Sequence, residues 1–404
     1  MKRGERNMGN FKKFMAMAAV SCMALTTMTA CGNSGDAGSG DGDTNEIKIG
    51  LNYELSGETA NYGTPEYNGS MLAIIQANAN KDNKFSYKAI KGDNKSQADE
   101  STNVATKLIT SDGVKGIVGP ATSGASAATY QIATDNKVLV VSPSATATNV
   151  TLQDGKTKES VYPYVFRVCF EDPYQGAAMA VYAKDTLKKT KAAVISDSSS
   201  DYAKGLSKAF QDKFKEKGGN IVTELNYQAK DTDFNVQLTK IKGMDFDVIY
   251  IPGYYNEVGL IIKQAREMGI DVPIVGGDGF DSTDLVKLAG NKNLNDVFFT
   301  TAYTTVDASD ALTQFIADYK KEYNEDPSMF SALAYDATNV LIQSFEKAGS
   351  ADTEAAQKAM TELDFKGVTG DFTFDETHTP KKAALVVELV DGEQKNAVEV
   401  DPNK

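Results

Sequence analysis

Tryptophan is absent from this 404-residue sequence, histidine occurs once and cysteine three times. One histidine and three scattered cysteines give no zinc-ligand spacing, so neither a metal nor a cofactor is expected. Nucleophilic serine enzymes usually need a histidine base, and His378 stands in a Glu-Thr-His-Thr-Pro turn, where we expect an exposed side chain without a catalytic role. The sequence therefore argues against an enzyme such as an amidase or esterase.

Arginine is also scarce, since only Arg167 and Arg266 follow the first thirty residues. Phosphate and dicarboxylate sites favour the forked guanidinium group, so a polyanionic ligand is not expected. Beyond residue 30 there remain 37 basic and 54 acidic side chains, a formal net charge of −17. Such an acidic surface argues against binding to nucleic acid. A sugar or nucleoside ligand stays open, because tyrosine can replace the missing tryptophan in stacking.

Long apolar runs are confined to the N-terminus, where residues 14–25 follow five basic residues. This run is shorter than the about 20 residues of a spanning helix, and it indicates a signal peptide over residues 1–30. Small residues lead into Cys31, which resembles the lipid-attachment cysteine of bacterial lipoproteins. Residues 31–45, rich in Gly, Ser and Asp, are typical of a flexible tether. We therefore expect a lipid anchor at Cys31 on the extracytoplasmic face of the cell membrane, with simple secretion as the alternative.

From residue 46 onward, short apolar runs alternate with amphipathic stretches. This alternation predicts an α/β protein with two doubly wound parallel-sheet lobes covered by helices. The predicted strands include 47–51, 114–118, 137–141, 192–195, 247–251, 273–275 and 371–374, and the predicted helices include 65–79 and 126–134.

The chain is long enough for two cores, and its two strand-helix sets suggest two similar lobes. We expect lobe 1 to comprise residues 46–166 plus 301–374, and lobe 2 residues 167–300 plus 375–400. The chain would then cross between the lobes three times, near Arg167, Thr300 and Phe374. Parallel crossovers of this kind form a hinge that permits closure on a ligand.

Ligands of open parallel sheets bind beyond the carboxyl ends of the strands. Two loops in such positions, 119–126 and 142–148, are rich in Ser and Thr. Hydroxyls and unpaired backbone N–H groups at the start of a helix can hold a carboxylate. The simpler interpretation is helix capping, which accounts for at least part of these hydroxyls.

The second set offers a different chemistry at its strand ends. Tyr202, Tyr254 and Asp278 each follow one of the predicted strands 192–195, 247–251 and 273–275. A carboxylate suits an ammonium group, so the two sets together fit the two ends of an α-amino acid. The alternative for Asp278 is an ordinary turn aspartate between glycines.

The segments Asn61-Tyr62-Gly63, 119–126, 142–148, Tyr254 and Gly277-Asp278-Gly279 occur in the order seen in a known family. Together they resemble the leucine/isoleucine/valine-binding proteins of ATP-driven importers, and the resemblance covers about residues 46–391. It implies a type I periplasmic-binding-protein fold with three crossovers. The family's disulfide near the site is missing, because its two cysteine positions match Lys95 and Thr122.

The resemblance implies these ligand-binding residues: Tyr62, Ser123, Ser144, Ala145, Thr146, Tyr202, Tyr254, Asp278 and Phe330. The hydroxyls of Ser123 and Thr146, with the backbone of the 144–146 loop, would hold the ligand carboxylate. Asp278, where leucine-type members often have glutamate, would hold the ammonium group. Tyr62 and Phe330 would touch the ligand side chain, and Tyr202 and Tyr254 would occupy aromatic positions of the cleft on lobe 2.

The implied function is capture of an amino acid by lobe closure, with a branched-chain amino acid as the expected ligand. The expected partners are the permease subunits of an ABC importer, and the expected state is a monomer. The alternative is an amino acid or amide sensor that presents its ligand to a separate signalling protein.

Overall fold

The computed structural model describes residues 45–305 and 308–404. The predicted signal peptide, nearly all of the predicted tether, and Cys31 lie outside the described residues. The described strands are β1 (Glu46–Tyr53), β2 (Ser86–Asp93), β3 (Gly116–Val118), β4 (Leu139–Ser142), β5 (Val165–Arg167), β6 (Lys191–Asp197), β7 (Asn220–Tyr227), β8 (Val248–Ile251), β9 (Ile274–Gly276), β10 (Val297–Thr301), β11 (Ala384–Val390) and β12 (Glu393–Val400).

The described helices are α1 (Ala60–Ala79), α2 (Ala98–Lys107), α3 (Ser123–Ala127), α4 (Tyr130–Asp135), α5 (Asp172–Val181), α6 (Asp201–Glu216), α7 (Asn235–Lys242), α8 (Tyr255–Glu267), α9 (Thr283–Ala289), α10 (Asp310–Tyr323), α11 (Met329–Ala348) and α12 (Thr353–Thr361). None of these helices combines the length and apolar character needed to cross a bilayer.

Two separate sheets confirm the predicted α/β architecture with two lobes. The first has the strand order β2-β1-β3-β4-β5 and is parallel throughout. The second has the order β12-β11-β10-β9-β8-β6-β7. Its strands β6 to β10 are parallel, but β11 runs antiparallel to both β10 and β12. The second sheet is therefore mixed rather than purely parallel as expected.

The chain passes between the two sheets three times. It enters the second sheet after β5, and α5 already packs against β10, β11 and β12. It returns after β10, since α11 packs on α1, β3 and β4 of the first sheet. The last passage, between α12 and β11, leads back to the second sheet. These passages confirm the three-crossover connection.

Three local expectations are wrong. The predicted helix 126–134 is divided into α3 and α4, because the Thr129 hydroxyl binds the Ser126 carbonyl (2.8 Å) and competes with the helical pattern. The predicted strand 371–374 forms only isolated bridges, from Phe372 and Phe374 to different partners. Helix α1 begins at Ala60, so Pro65 lies inside it rather than at its start.

His378 is buried rather than exposed. Its ring stacks on Phe166 at a centroid distance of 3.9 Å, and its Nδ1 lies 2.9 Å from the carbonyl oxygen of Val165. The carbonyl of His378 in turn accepts a hydrogen bond from the backbone of Arg167. Burial lowers the pKa of His378. The side chain thus joins the first and third crossovers.

Candidate ligand-binding site

The strand order of the first sheet reverses at β1, which lies between β2 and β3. Such a reversal opens a crevice at the carboxyl edge of a parallel sheet, because the following connections leave on opposite faces. Tyr62 follows β1, Ser123 follows β3 and Ser144 follows β4. The topology therefore brings these three side chains to one edge.

The second sheet repeats the arrangement at β6, which lies between β7 and β8. Tyr202 stands in the first turn of α6 after β6, and Tyr254 caps the start of α8 after β8. Asp278 follows β9 in a short 3₁₀ turn. The two crevices face one another in the described part of the molecule.

A narrow space lies between them. It is lined by Tyr62, Ala121, Thr122, Ser123, Ser144, Tyr202, Tyr254, Asp278, Gly279 and Phe330. Seven of the nine predicted residues are therefore brought together around one cleft. Ala145 and Thr146 are not part of this lining.

Ala145 and Thr146 are both buried close behind the cleft. The Ala145 side chain belongs to the smaller hydrophobic core, and the backbone carbonyl of Ala145 accepts a hydrogen bond from Arg167. The Thr146 hydroxyl lies beside the carboxyl of Asp172 without a hydrogen bond of normal geometry. In this arrangement neither side chain reaches the space that the other seven line.

The first-sheet wall of the cleft is built from serine hydroxyls. Ser123 Oγ accepts a hydrogen bond from the backbone of Ala147 (3.2 Å), which ties the two Ser/Thr-rich loops together. Ser144 Oγ contacts both the carbonyl of Ala121 (3.0 Å) and Glu66 Oε1. A hydroxyl has one hydrogen to donate, so both contacts are satisfied when Glu66 is protonated and donates to Ser144.

Two buried carboxyl groups, those of Glu66 and Glu54, lie behind this wall. Burial raises the pKa of Glu66 well above its ordinary value, and the nearby Glu54 raises it further. Glu54 accepts hydrogen bonds from the backbone of Ala121 and from the backbone and hydroxyl of Thr122. Burial also raises the pKa of Glu54, although these donors oppose the shift. Glu54 thus fixes the start of the loop that carries Ser123.

The second-sheet wall is centred on Asp278, whose side chain is 3% exposed. Asp278 Oδ1 accepts hydrogen bonds from the Tyr202 hydroxyl (2.7 Å) and from Gln175 Nε2 (3.1 Å). Burial raises the pKa of Asp278 to about 6, because desolvation outweighs these two donors. At neutral pH most of the population carries an ionised carboxylate there, suited to a cation.

The glycines beside Asp278 are required by close packing. A Cβ on Gly277 would lie 2.6 Å from the Tyr202 hydroxyl oxygen. A Cβ on Gly279 would lie 2.7 Å from the carbonyl oxygen of Gly253. Without side chains, the backbone comes close enough for Gly279 N to donate a hydrogen bond to Tyr202 (2.9 Å).

Aromatic rings form the remaining wall. Tyr62 lies 4.5 Å from Phe330, 5.6 Å from Tyr254 and 5.0 Å from Tyr255, measured between ring centroids. Tyr202 and Tyr254 stack at 5.0 Å. Such a wall accepts an apolar group, while the serines and Asp278 offer donors and a negative charge. The cleft can therefore hold a small molecule with a carboxylate, an ammonium group and an apolar side chain.

Several contributing residues were not predicted. Glu54 directly follows β1, so the strand-end rule alone could have identified it. Gln175 and Asp172 lie on α5, a helix that the sequence pattern did not indicate. Glu66 lies inside α1 and acts only through Ser144. No local motif marks these last three residues.

Among residues 45–305 and 308–404, no group of three or more His, Cys, Asp or Glu side chains is arranged to hold a metal ion.

The model of the family described as periplasmic binding protein matches residues 46–394. The chain is 31% identical over 336 residues to the Leu/Ile/Val-binding protein BraC3 of Rhizobium johnstonii, covering 82% of this chain and 88% of the relative. It is 28% identical over 378 residues to the leucine-, isoleucine-, valine-, threonine- and alanine-binding protein of Pseudomonas aeruginosa, covering 93% and 94%.

Among solved structures, the chain resembles the branched-chain amino acid transporter substrate binding protein LivJ of Streptococcus pneumoniae, determined in complex with isoleucine. The TM-score is 0.82 at 40% sequence identity, over 88% of this chain and 99% of that one. The leucine binding protein LivK of Thermotoga maritima gives a TM-score of 0.82 at 32% identity, over 88% and 99%. These matches confirm the resemblance inferred from the motifs.

Proposed function

This chain belongs to the periplasmic binding protein family, a family of solute-binding proteins rather than enzymes, and on that premise we propose that it captures a branched-chain amino acid and delivers it to an ABC importer. The observation that carries the proposal is the shared lining of one space by Ser123, Ser144 and Asp278 together with aromatic rings. Relatives named for branched-chain amino acids support the same ligand class.

In the proposed complex, the ligand carboxylate accepts hydrogen bonds from the hydroxyls of Ser123 and Ser144 and from the neighbouring backbone. Thr146 contributes after rotation of its hydroxyl toward the cleft, with Ala145 supplying backbone contacts. Asp278 pairs with the ammonium group. Each buried ligand charge then has a partner, which is the condition for burying it at all.

The ligand side chain is proposed to contact the aromatic wall of Tyr62, Tyr202, Tyr254 and Phe330. Burial of an apolar side chain contributes roughly 25 cal/mol per Å² removed from water. A polar side chain would lose hydrogen bonds to water there without regaining them.

Two lobes close on the ligand in this proposal. Lobe 1 comprises residues 46–166 plus 301–374, and lobe 2 residues 167–300 plus 375–400. The division is supported by the strands of the two sheets and by the packing of α11 on the first sheet. The closed form, as a monomer, is what the permease subunits recognise.

We further propose that Cys31 carries a lipid that anchors the protein to the extracytoplasmic face of the cell membrane. The support is the sequence pattern of residues 1–45. Cys31→Ser should move the protein from the membrane fraction to the soluble fraction. Membrane retention of this variant at the level of the parent chain would contradict the anchor.

Thermal unfolding against each of the twenty amino acids, a sugar and a nucleoside tests the ligand class. The protein is first unfolded and refolded to remove any bound solute. A ligand at about 100 times its dissociation constant should add roughly 2.7 kcal/mol to the free energy of unfolding. Stabilisation by leucine, isoleucine or valine supports the proposal, and a protein that no amino acid stabilises overturns it.

Uptake of labelled leucine by cells separates import from sensing. Cells that lack this protein should take up less of the ligand, and the gene should restore uptake. Normal uptake without the protein, with an altered response to the amino acid, would instead indicate a sensor.

A further inference from the structure

Gln175 lies in the second turn of α5 and is fully buried. Its Nε2 donates one hydrogen bond to Asp278 Oδ1 and another to Asp172 Oδ1, both at 3.1 Å. Its Oε1 accepts from the Thr300 hydroxyl (2.6 Å) and from the backbone N–H of Asp278 (3.3 Å). Because a backbone N–H can only donate, this last contact fixes which end of the amide is the oxygen.

We propose that Gln175 is the positioning residue of the ammonium site: it holds the Asp278 carboxylate in place and keeps the negative charge of the site on Asp278. This inference rests on the proposed function, since it assumes that Asp278 binds the ligand ammonium.

The first part of the argument is orientation. Gln175 forms two hydrogen bonds with Asp278: it accepts one from the backbone N–H and donates one to Oδ1. Tyr202 donates to the same Oδ1, so neither side chain occupies Oδ2. A carboxylate held on one oxygen presents its other oxygen in a fixed direction, and the ligand then loses less affinity to the ordering of the site.

The second part is charge. Two buried carboxyl groups share the one amide, and Oδ2 of Asp172 is buried without a hydrogen bond. Burial raises the pKa of Asp172 well above its ordinary value and outweighs the Thr146 hydroxyl and the charge of Arg167, which lower it, so Asp172 is the neutral partner. Asp278 has two side-chain donors on its oxygen and is therefore the better host for the charge.

The strongest interactions of Asp278 with the described side chains include no cation, although Arg167 acts on the neighbouring Asp172 and, with Lys382, on Cys169. The acids that face it are Asp172 and Asp281. The other titratable groups are Cys169 and the tyrosines Tyr62, Tyr202, Tyr250 and Tyr254. The amide of Gln175, the hydroxyl of Tyr202 and the backbone of Asp278 and Gly279 thus stabilise the ionised carboxylate until a ligand ammonium arrives.

Thr300 extends this arrangement to the second crossover. It lies on β10, and its hydroxyl holds the oxygen end of the Gln175 amide. The orientation of the ammonium site therefore depends on a residue at the hinge, close to where the chain returns to the first sheet.

The test uses Gln175→Leu, which keeps the side-chain volume and removes every hydrogen bond. The ligands are leucine and 4-methylpentanoate, which has the same carboxylate and alkyl group but no ammonium. Titration calorimetry of the parent protein with leucine comes first, because failure of leucine, isoleucine and valine to bind would overturn the proposed function itself.

If the parent protein binds leucine, Gln175→Leu should lower the affinity for leucine about tenfold or more. This is the loss expected for a hydrogen bond to a charged group. The affinity for 4-methylpentanoate should not fall. The pH below which leucine binding declines should move upward, because the carboxylate has lost a donor. A purely structural role would weaken both ligands equally and leave the pH profile in place, and that result overturns the inference.

Gln131→Leu is the matched control, since Gln131 is exposed and its Nε2 also binds an aspartate, Asp135 (2.7 Å). It should change neither ligand's affinity. Thr300→Val provides the test if Gln175→Leu does not fold, because it frees the amide without touching Asp278. It should shift the leucine pH profile in the same direction by a smaller amount, and unchanged leucine binding by folded Thr300→Val would overturn the inference.

Discussion

At the scale of single residues, the cleft places buried acids in two different situations. Asp278 lines the space and has donors on its carboxylate, whereas Glu66 lies behind Ser144 and is best satisfied as a neutral acid. A carboxyl group therefore serves as a charge in one wall and as a hydrogen-bond donor in the other. Asp278 is the acid that lines the cleft, opposite the serines.

Leucine binding should weaken as the pH falls through about 6. Burial raises the pKa of Asp278 to about 6, so the ligand-free protein takes up a proton there below that pH. A neutral carboxyl cannot pair with the ammonium group, and the apparent dissociation constant should be about tenfold higher at pH 5 than at pH 7. Titration calorimetry at several pH values measures this profile.

Asp278→Asn is the control for that profile. The amide cannot ionise, so leucine should bind this variant weakly, with the same affinity at pH 5 and pH 7. A variant whose affinity still fell with pH would assign the effect to another group, such as Glu54, Glu66 or His378.

At the scale of helices and strands, the sequence predicts the positions of the strand ends well. Strands β1, β3, β4, β6, β8 and β9 all stand where apolar runs predicted them, and each is followed by a residue of the cleft. The strand predictions led to the predicted cleft residues, because parallel strands bring their carboxyl ends to one edge of the sheet. This rule needs the existence of a strand and not its exact bounds.

Helix α5, strand β12 and the polar contacts behind the cleft could not be predicted from the sequence, for physical reasons. Helix α5 carries Gln175, but its buried positions include polar residues such as Asp172, so no apolar stripe marks it. Strand β12 lies at the edge of a sheet and is mostly exposed, with few apolar residues. Several polar contacts behind the cleft join residues more than sixty positions apart, such as Glu54 with Ala121, and local patterns carry no information about them.

The pairing of α1 with α11 supplies a test at this scale. Gly69 of α1 lies against the backbone of α11, and a Cβ there would come within 2.1 Å of the Ser331 carbonyl oxygen. Gly69→Ala should lower the free energy of unfolding by about 1–3 kcal/mol, because neither helix backbone can move away without disturbing the core. Chemical denaturation monitored by circular dichroism gives the value.

Gly243→Ala is the matched control, since a Cβ at Gly243 meets no atom within 4 Å. Its stability should equal or exceed that of the parent protein. Equal stability of the two variants would show that the helix pair tolerates separation at Gly69.

At the scale of the whole molecule, polar contacts hold the two walls of the cleft together. The Tyr62 hydroxyl donates to the carbonyl of Gly279 (2.5 Å) and accepts from the backbone of Tyr255 (3.2 Å). Glu58 accepts hydrogen bonds from Tyr255 and Asn256 through its carbonyl. In the closure that we propose, contacts of this kind form only in the closed cleft, so they should contribute to affinity by slowing reopening.

Tyr62→Phe should therefore release leucine faster while leaving the aromatic wall in place. The substitution keeps the ring contacts with Tyr254 and Phe330 and removes only the hydroxyl. In the closed form it leaves the Gly279 carbonyl and the Tyr255 N–H without this partner, a cost of about 1–3 kcal/mol. That cost falls on the closed state alone, so the dissociation rate should rise roughly tenfold with little change in the association rate. Stopped-flow measurement of the protein's tyrosine fluorescence, during leucine binding and during leucine release, gives the association and dissociation rates.

Tyr335→Phe is the control that separates an effect on cleft closure from an effect on the stability of the fold. The Tyr335 hydroxyl donates to Gln76 (2.5 Å), and both residues lie on helices that pack on each other beside the first sheet, so this bond does not cross the cleft. Its loss should lower the melting temperature without changing the leucine dissociation rate. If Tyr62→Phe and Tyr335→Phe changed the rate equally, the hydroxyl of Tyr62 would not act as a closure contact. If only Tyr62→Phe changed it, retention of the ligand would depend on hydrogen bonds between the walls as well as on contacts with the ligand.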